Sequence, residues 1–396
     1  MSAIGFDAFL LGALEEIELA GLTRRLSPLE TPQLPRVTRE NVNVVNFSSN
    51  DYLGLAAHPD LRDAAMAEWE RGGFGAGASR LICGTMAAHE ELEVAIAGFK
   101  CTPAALSFGS GYAAAMGTIP AICGKDDVII LDKLSHACLI DAARLSGAIL
   151  RVFPHNDLNK LESHLKWAAR NHPHSRVMIV AESVYSMDGD LAPLSEMVSL
   201  KERFGAWLFL DEAHAVGVLG PNGGGLAEQL GLGDGIEIQM GTLGKALGAH
   251  GAYIAGSRAL RDYLINRARS FIFSTAQPAL VAAAATKAIE ISRSPEGSRL
   301  RGLLWSNIRN LSAILESPNP ESAIIPQIIG PEIKATFASA ALLNKGFLVP
   351  AIRFPTVAKG AARLRYTVTA SHRAEEIHAL GEALRRLQFT DSESST

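Results

Sequence analysis

Gly241-Thr242-Leu243-Gly244-Lys245-Ala246-Leu247-Gly248 sets a lysine in a small-residue turn between two apolar runs. Ile236, Ile238 and Met240 precede it, and Ala252 to Ala255 follow it. A lysine between two buried strands is costly unless it is neutral, paired or covalently used. Glycines on both sides let another molecule approach the backbone closely. One use of such a lysine is to hold a carbonyl cofactor as a Schiff base, and this is the role expected of Lys245. From the octet alone an ordinary surface-turn lysine is the simpler reading, because short motifs recur by chance.

Outward from the octet, short apolar runs at 127–131, 148–153, 176–181 and 206–210 alternate with helical segments. That alternation predicts an α/β fold, a mostly parallel sheet covered by helices on both faces. Such sheets bind ligands at the carboxyl ends of their strands. The polar motifs fall there: His136, Glu182 to Asp190, Asp211 to His214, and Lys245. Before this region lie an amphipathic helix over 4–20, with Ile4, Phe9, Leu10, Leu14 and Ile17 near helical spacing, then Arg24, Arg25 and a proline-rich connector. A short strand at 44–47 leads into the polar turn from Ser48 to Gly54. Breaks at Ser294 to Gly297 and Pro318 to Pro320 introduce a different order: helix 297–315, strand 323–329, helix 331–345, strand 362–369, helix 372–388. The expected organisation is an N-terminal helix and connector (1–50), a large domain (51–293) and a smaller α+β domain (294–396), with a disordered tail from Asp391 to Thr396.

At 396 residues, 48% hydrophobic and 20% charged, the chain fits a soluble globular protein with a large core. A net charge of −4 gives no reason to expect nucleic acid or an anionic membrane as a partner. No apolar run approaches the roughly 18 residues of a membrane span. Cys83, Cys101, Cys123 and Cys138 are widely spaced and read as buried thiols in a reducing compartment, hence a cytoplasmic protein.

Several motifs fail on context. Asp211-Glu212-Ala213-His214 matches the Mg-binding box of a helicase class, but no Gly-x-x-x-x-Gly-Lys-Ser/Thr loop accompanies it. Gly73-Phe74-Gly75-Ala76-Gly77 follows a helix rather than a strand, so it is no dinucleotide fingerprint. His172 and His174 lack a third ligand at suitable spacing, and no metal is expected. Asp211 has a more specific use at the end of a buried strand: a pyridinium nitrogen against it stays protonated and becomes an electron sink. His214 could reach the phenolic oxygen of that ring, and His136 could stack on its face. Gly109-Ser110-Gly111-Tyr112 opens a helix, where free N–H groups favour a phosphate, with Ser186 and Thr242 as further donors.

With these residues in place the chain resembles the α-oxoamine synthases, fold-type-I enzymes dependent on pyridoxal 5′-phosphate (PLP). The resemblance runs from about residue 22 to 386. It rests on ordered motifs: Phe47 to Leu55, Ser135-His136-Ala137, His155-Asn156-Asp157, Ser186 to Asp190, Asp211 to His214, Gly244-Lys245, Phe273-Ser274-Thr275, and Pro355-Thr356-Val357 leading to Ala362 to Arg365. It implies that Lys245 carries PLP, Asp211 pairs with the ring nitrogen, His214 with the ring oxygen, and His136 stacks on the ring. Gly111, Tyr112, Ser186 and Thr242 would hold the cofactor. Ser274 and Thr275 would reach its phosphate across a homodimer. Arg365, assisted by Asn50, would grip the amino-acid carboxylate, and Arg24 and Thr356 would contact the acyl substrate. The implied reaction is a decarboxylating condensation of an amino acid with an acyl thioester. Pro355 to Arg365 and the His155-Asn156-Asp157 turn favour L-alanine with a pimeloyl thioester, on coenzyme A or a carrier protein. Leu81-Ile82-Cys83-Gly84-Thr85 looks closer to the glycine C-acetyltransferase branch, and Ala276-Gln277-Pro278 departs from the usual Ser-Met-Pro-Pro. Serine palmitoyltransferase chemistry is a third option. A catalytically inactive, regulatory relative would be expected to lack the lysine.

Overall fold

The computed structural model describes residues 5–317 and 319–387. Ile4, Pro318, Gln388 and the tail from Asp391, all named above, lie outside the described residues. The apolar runs form a seven-stranded sheet of β3 (Ala104–Phe108), β4 (Val128–Asp132), β5 (Ile149–Phe153), β6 (Val177–Glu182), β7 (Trp207–Asp211), β8 (Ile238–Thr242) and β9 (Ala252–Gly256), preceded in the chain by β1 (Arg36–Arg39) and β2 (Val42–Asn46). Its order is β3-β9-β8-β7-β6-β4-β5. β5, β4, β6, β7 and β8 run parallel, and β9 is antiparallel to both neighbours. Strands buried on both faces read as near-continuous apolar runs, which is why β4, β6 and β7 were visible in the sequence.

Helices α1 (Phe6–Leu19), α2 (Pro59–Gly72), α3 (Ala87–Phe99), α4 (Gly111–Ile122) and α5 (Ala137–Leu145) lead the helical set. Ser110 caps α4 by accepting from Ala113 N at 3.1 Å. The His136 ring caps α5 by accepting from Cys138 N at 3.3 Å. The caps set the start of each helix just beyond a strand end. The amphipathic pattern of α1 buries nothing: Phe6, Phe9, Leu11, Leu14 and Leu19 are all exposed.

Past residue 294, β10 (Ile324–Gly330), β11 (Phe347–Leu348), β12 (Ala351–Ile352) and β13 (Ala362–Thr367) complete two small sheets. One has the order β10-β13-β12. The other joins the two ends of the chain: β11 pairs parallel with β2, Phe347 opposite Val45. Sequence reading missed β1, β11 and β12, which are too short to carry periodicity. The thiol expectation needs correction. Cys123 and Cys138 are buried, but Cys83, in the short π-helix Arg80–Gly84, and Cys101, in the turn after α3, are exposed.

Candidate active site

Parallel strands bring their carboxyl ends to one edge. Glu182 ends β6 and stands in register with Asp211, the end of β7. Asp132 ends β4 one strand further on. All three carboxylates are buried, an arrangement that persists only where charge or hydrogen bonds compensate. Asp211 Oδ1 accepts from Ala213 N at 2.8 Å; among the described residues no side chain hydrogen-bonds to its carboxylate. Glu182 accepts the His136 main-chain N–H. Burial raises the Asp211 carboxyl, opposed by the charge of Lys245, by the Ala213 N–H and by His136. Burial also pushes Glu182 well above its usual range, and the neighbouring Asp211 charge adds to this.

Lys245 follows β8 and faces this acidic edge. Burial lowers its amine, with Asp211 and Glu182 pulling it back up and Arg365 pushing it further down. Burial and then the Lys245 charge hold His214 well below the usual histidine value, and burial lowers His136. The edge therefore gathers an amine biased toward neutrality, two neutral imidazoles and a buried carboxylate without a side-chain partner.

The glycines around Lys245 differ from expectation. What approaches them closely is the chain itself. A Cβ on Gly248, where φ is +62°, would lie 2.4 Å from the Leu55 carbonyl carbon and the Ala56 nitrogen. One on Gly241 would meet the Tyr253 ring, and one on Gly217 would lie 2.5 Å from Ala246 Cβ. The turn is thus clamped between the Leu55–Ala56 backbone and β9, which fixes where the lysine starts.

A hydrogen-bonded relay links the other end of the site. Arg365 on β13 is buried and donates Nε to the Ser186 carbonyl at 2.6 Å and Nη1 to Asn50 Oδ1 at 3.2 Å. Tyr52 donates to Asn50 Oδ1 at 3.3 Å in the same arrangement, and its hydroxyl meets His214 Nδ1 at 2.7 Å. So the Asn50–Arg365 pair, which the resemblance implies, and His214, read apart from it, are one connected unit through Tyr52. Tyr52 and Glu182 were not assigned roles by sequence reasoning. Glu182 carried a signal, an acid at the end of an apolar strand; Tyr52 carried none beyond its place in the Phe47 to Leu55 motif.

The remaining predicted residues fall into three places. Gly111 lies beside Thr242, where a Cβ would stand 3.1 Å from Thr242 Cγ2, and Thr242 Oγ1 donates to Ala213 O at 3.4 Å. Tyr112 is exposed and its hydroxyl donates to Asp141. Ser186 engages through its main chain. Ser274 and Thr275 line a small recess with Gly109 and Arg80 of the same chain. Arg24 and Thr356 meet in an open groove of about 830 Å³, whose walls include Leu14, Ile17, Arg25 and Arg353. The groove stands beside β12, which pairs with β13 at Ile352–Arg363, two residues from Arg365.

This fold and this edge define a class, and the chain belongs to the aminotransferase class I and II family, whose model matches residues 42–384. Among curated proteins it is similar to the 8-amino-7-oxononanoate synthase of Geobacter sulfurreducens, at 45% identity over 383 residues, 96% of this chain and 97% of that protein. Among solved structures it resembles a serine palmitoyltransferase from S. paucimobilis bearing a bound PLP–myriocin aldimine, with a TM-score of 0.89, 30% identity, and coverage of 96% and 97%. It also resembles the 8-amino-7-oxononanoate synthase of Francisella tularensis, with a TM-score of 0.72, 25% identity, and coverage of 87% and 98%. No helix among the described residues is long and apolar enough to cross a membrane.

Proposed function

We propose that the chain is a PLP-dependent acyltransferase that condenses L-alanine with a pimeloyl thioester, releasing CO₂ and free thiol to give 8-amino-7-oxononanoate for biotin synthesis. The observation that carries the reaction class is the convergence of Lys245, Asp211, His136 and His214 on one strand-end edge. The choice of acyl group rests on likeness to the Geobacter enzyme, which exceeds likeness to the palmitoyltransferase by 45% to 30% identity.

The residues fit the cofactor. Asp211 is a buried carboxylate with a backbone hydrogen bond and no side-chain partner, suited to a protonated pyridine nitrogen. Gly111 against Thr242 leaves a surface without side-chain bulk at the start of α4. Lys245 would hold the cofactor's carbonyl carbon, His214 its ring oxygen, and His136 its ring face. Tyr112, Ser186 and Thr242 would flank it, and Ser274 and Thr275 of the partner subunit would reach its phosphate in a homodimer. When bound, the ring supplies an electron sink for charge developing at the amino-acid Cα.

The chain supplies the rest. Arg365 binds the amino-acid carboxylate through its planar fork, with Asn50 fixing the guanidinium. The Lys245 amine, lowered by burial, takes the Cα proton, because only the neutral amine is a base. His136 Nδ1 accepts from Cys138 N, so its proton sits on Nε2, which can donate to the thioester carbonyl. Arg24 and Thr356 contact the acyl chain in their groove. The cytoplasm is the setting.

Assays of L-alanine with pimeloyl-CoA, glycine with acetyl-CoA and serine with palmitoyl-CoA test this. The first pair is expected to exceed the others in kcat/KM by about 100-fold or more. Preference for either other pair overturns the acyl assignment. Protein that gains no yellow absorbance with PLP, and none that borohydride bleaches, overturns the enzyme reading.

A further inference from the structure

A polar cluster behind the strand ends takes no part in the roles above. Asp132 is fully buried; its Oδ1 accepts from Leu134 N at 2.7 Å and its Oδ2 from Asn156 N at 2.9 Å. His155 Nδ1 lies 3.1 Å from Asp132 Oδ1, and His155 Nε2 lies 2.7 Å from Asp190 Oδ2. A carboxylate only accepts, so both ring nitrogens carry hydrogen and the ring is an imidazolium. Its face is fixed by Tyr185, edge-on at 4.3 Å between centroids. Asn156 Nδ2 donates to the same Asp190 oxygen at 3.1 Å and to Leu191 O at 3.1 Å.

Each carboxylate belongs to a segment bearing a substrate-side group. Asp132 opens the turn that ends at His136, folded by its bond to Leu134 N. Asp190 closes the loop from Tyr185, whose N–H donates to Asp190 O at 3.1 Å. Within that loop the Ser186 carbonyl holds Arg365, and Met187 O and Asp188 hold Arg363. The two segments leave adjacent strands, β4 and β6, and His155 bridges them from the end of β5.

We propose that His155 is a positioning residue: bound to Asp132 on one side and Asp190 on the other, it fixes the His136 turn and the Arg365-holding loop at one spacing. This rests on the roles proposed for His136 and Arg365. The catalytic consequence is that the donor to the acyl carbonyl and the clamp on the amino-acid carboxylate keep their separation through turnover. The groups facing the ring are Asp132, Asp190, the Tyr185 ring and Asn156. Burial works against its charge, but the hydrogen bonds to and charges of the two aspartates outweigh burial and push the ring up to about 10.

The test uses PLP-loaded protein and its His155→Gln, Asp190→Asn and double variants. The dissociation constant of L-alanine is read from the change in cofactor absorbance, with no acyl substrate present. His155→Gln is expected to weaken L-alanine about tenfold and to lower kcat, since displacement of a positioned group by about 1 Å can cost up to 100-fold. Adding Asp190→Asn, which removes the carboxylate left without its cation, is expected to recover part of both losses. A folded His155→Gln protein with unchanged L-alanine affinity and kcat overturns the proposal, as does a loss that no double variant recovers. Nitrogen-15 NMR of labelled histidine decides the clamp without substrate: a ring still protonated at pH 8 supports it, a neutral ring overturns it. If the wild type gives no absorbance change with L-alanine, the functional reading fails, and the NMR titration still decides the clamp.

Discussion

Two regions of the molecule hold their functional residues in opposite ways. At the strand-end edge each functional group is held by its surroundings: Arg365 by the Ser186 carbonyl and Asn50, His214 by Tyr52, and the Lys245 turn by the Leu55–Ala56 backbone. In the groove of Arg24 and Thr356, α1 buries no residue, and Phe354 on the opposite wall is exposed. Pre-organisation is thus concentrated at the edge proposed to move protons and stabilise charge, and withheld in the groove proposed to receive the acyl chain. A rigid edge keeps the chemistry constant, while an open groove can change its occupant without disturbing the core.

Substitutions can break this contrast. The largest effect is expected from Lys245→Ala, which removes the proposed base: turnover should fall by about 10⁴-fold, the upper end for a lost proton carrier. Thermal melting of the same protein should change little, because a half-buried side chain outside the hydrophobic core has been removed. Arg365→Lys comes next, since a point charge does not replace a planar fork. KM for L-alanine should rise on the order of 100-fold, more than kcat falls, in steady-state kinetics. Arg24→Ala and Thr356→Ala are expected to raise KM for the acyl thioester only about tenfold, because both side chains are exposed, with an unchanged melting temperature. A melting temperature that drops in either would show the groove to be as tightly built as the edge.

The smallest effect is read by pH, at a buried histidine outside both regions. Burial lowers His372, which packs against Phe47 at 4.6 Å, from 6.5 to about 4. The neutral ring's contribution to stability is therefore complete above pH 6.5 and is lost as pH falls through about 4. Wild-type stability should decline over that window by on the order of 1–3 kcal/mol from this group, measured by urea unfolding, and the decline should shrink in His372→Gln.

The fold was legible where strands are buried on both faces. Runs such as Val128 to Leu131 and Trp207 to Leu210 name the sheet, and parallel pairing then puts Asp211 and Lys245 at one end. The positions of Asp211, His214 and Lys245 were legible for the same reason: each lies at, or within three residues of, the end of such a strand. The Asn50–Arg365 pair was implied by the resemblance, but its link to His214 was not legible, because it runs through Tyr52, 162 residues from that histidine. The glycines were read as open to a ligand, whereas Gly248 is filled by backbone some 190 positions earlier, a contact no local pattern encodes. The exposed apolar face of α1 was read correctly as a pattern, but periodicity says nothing about what, if anything, covers it.

The stretch from Val42 to Ala56 touches nearly everything described here. It begins as β2 beside β11, passes Thr367, whose N–H donates to Phe47 O at 2.9 Å, binds Arg365 through Asn50 and His214 through Tyr52, and ends packed on Gly248. Mechanically it is a tie-rod between the small sheets and the large one. Any tilt of one against the other pulls on Asn50 and Tyr52 together. Arg365, proposed to bind the amino-acid carboxylate, is therefore linked to His214, proposed to hold the ring oxygen, through the three residues Asn50 to Tyr52 of a single chain.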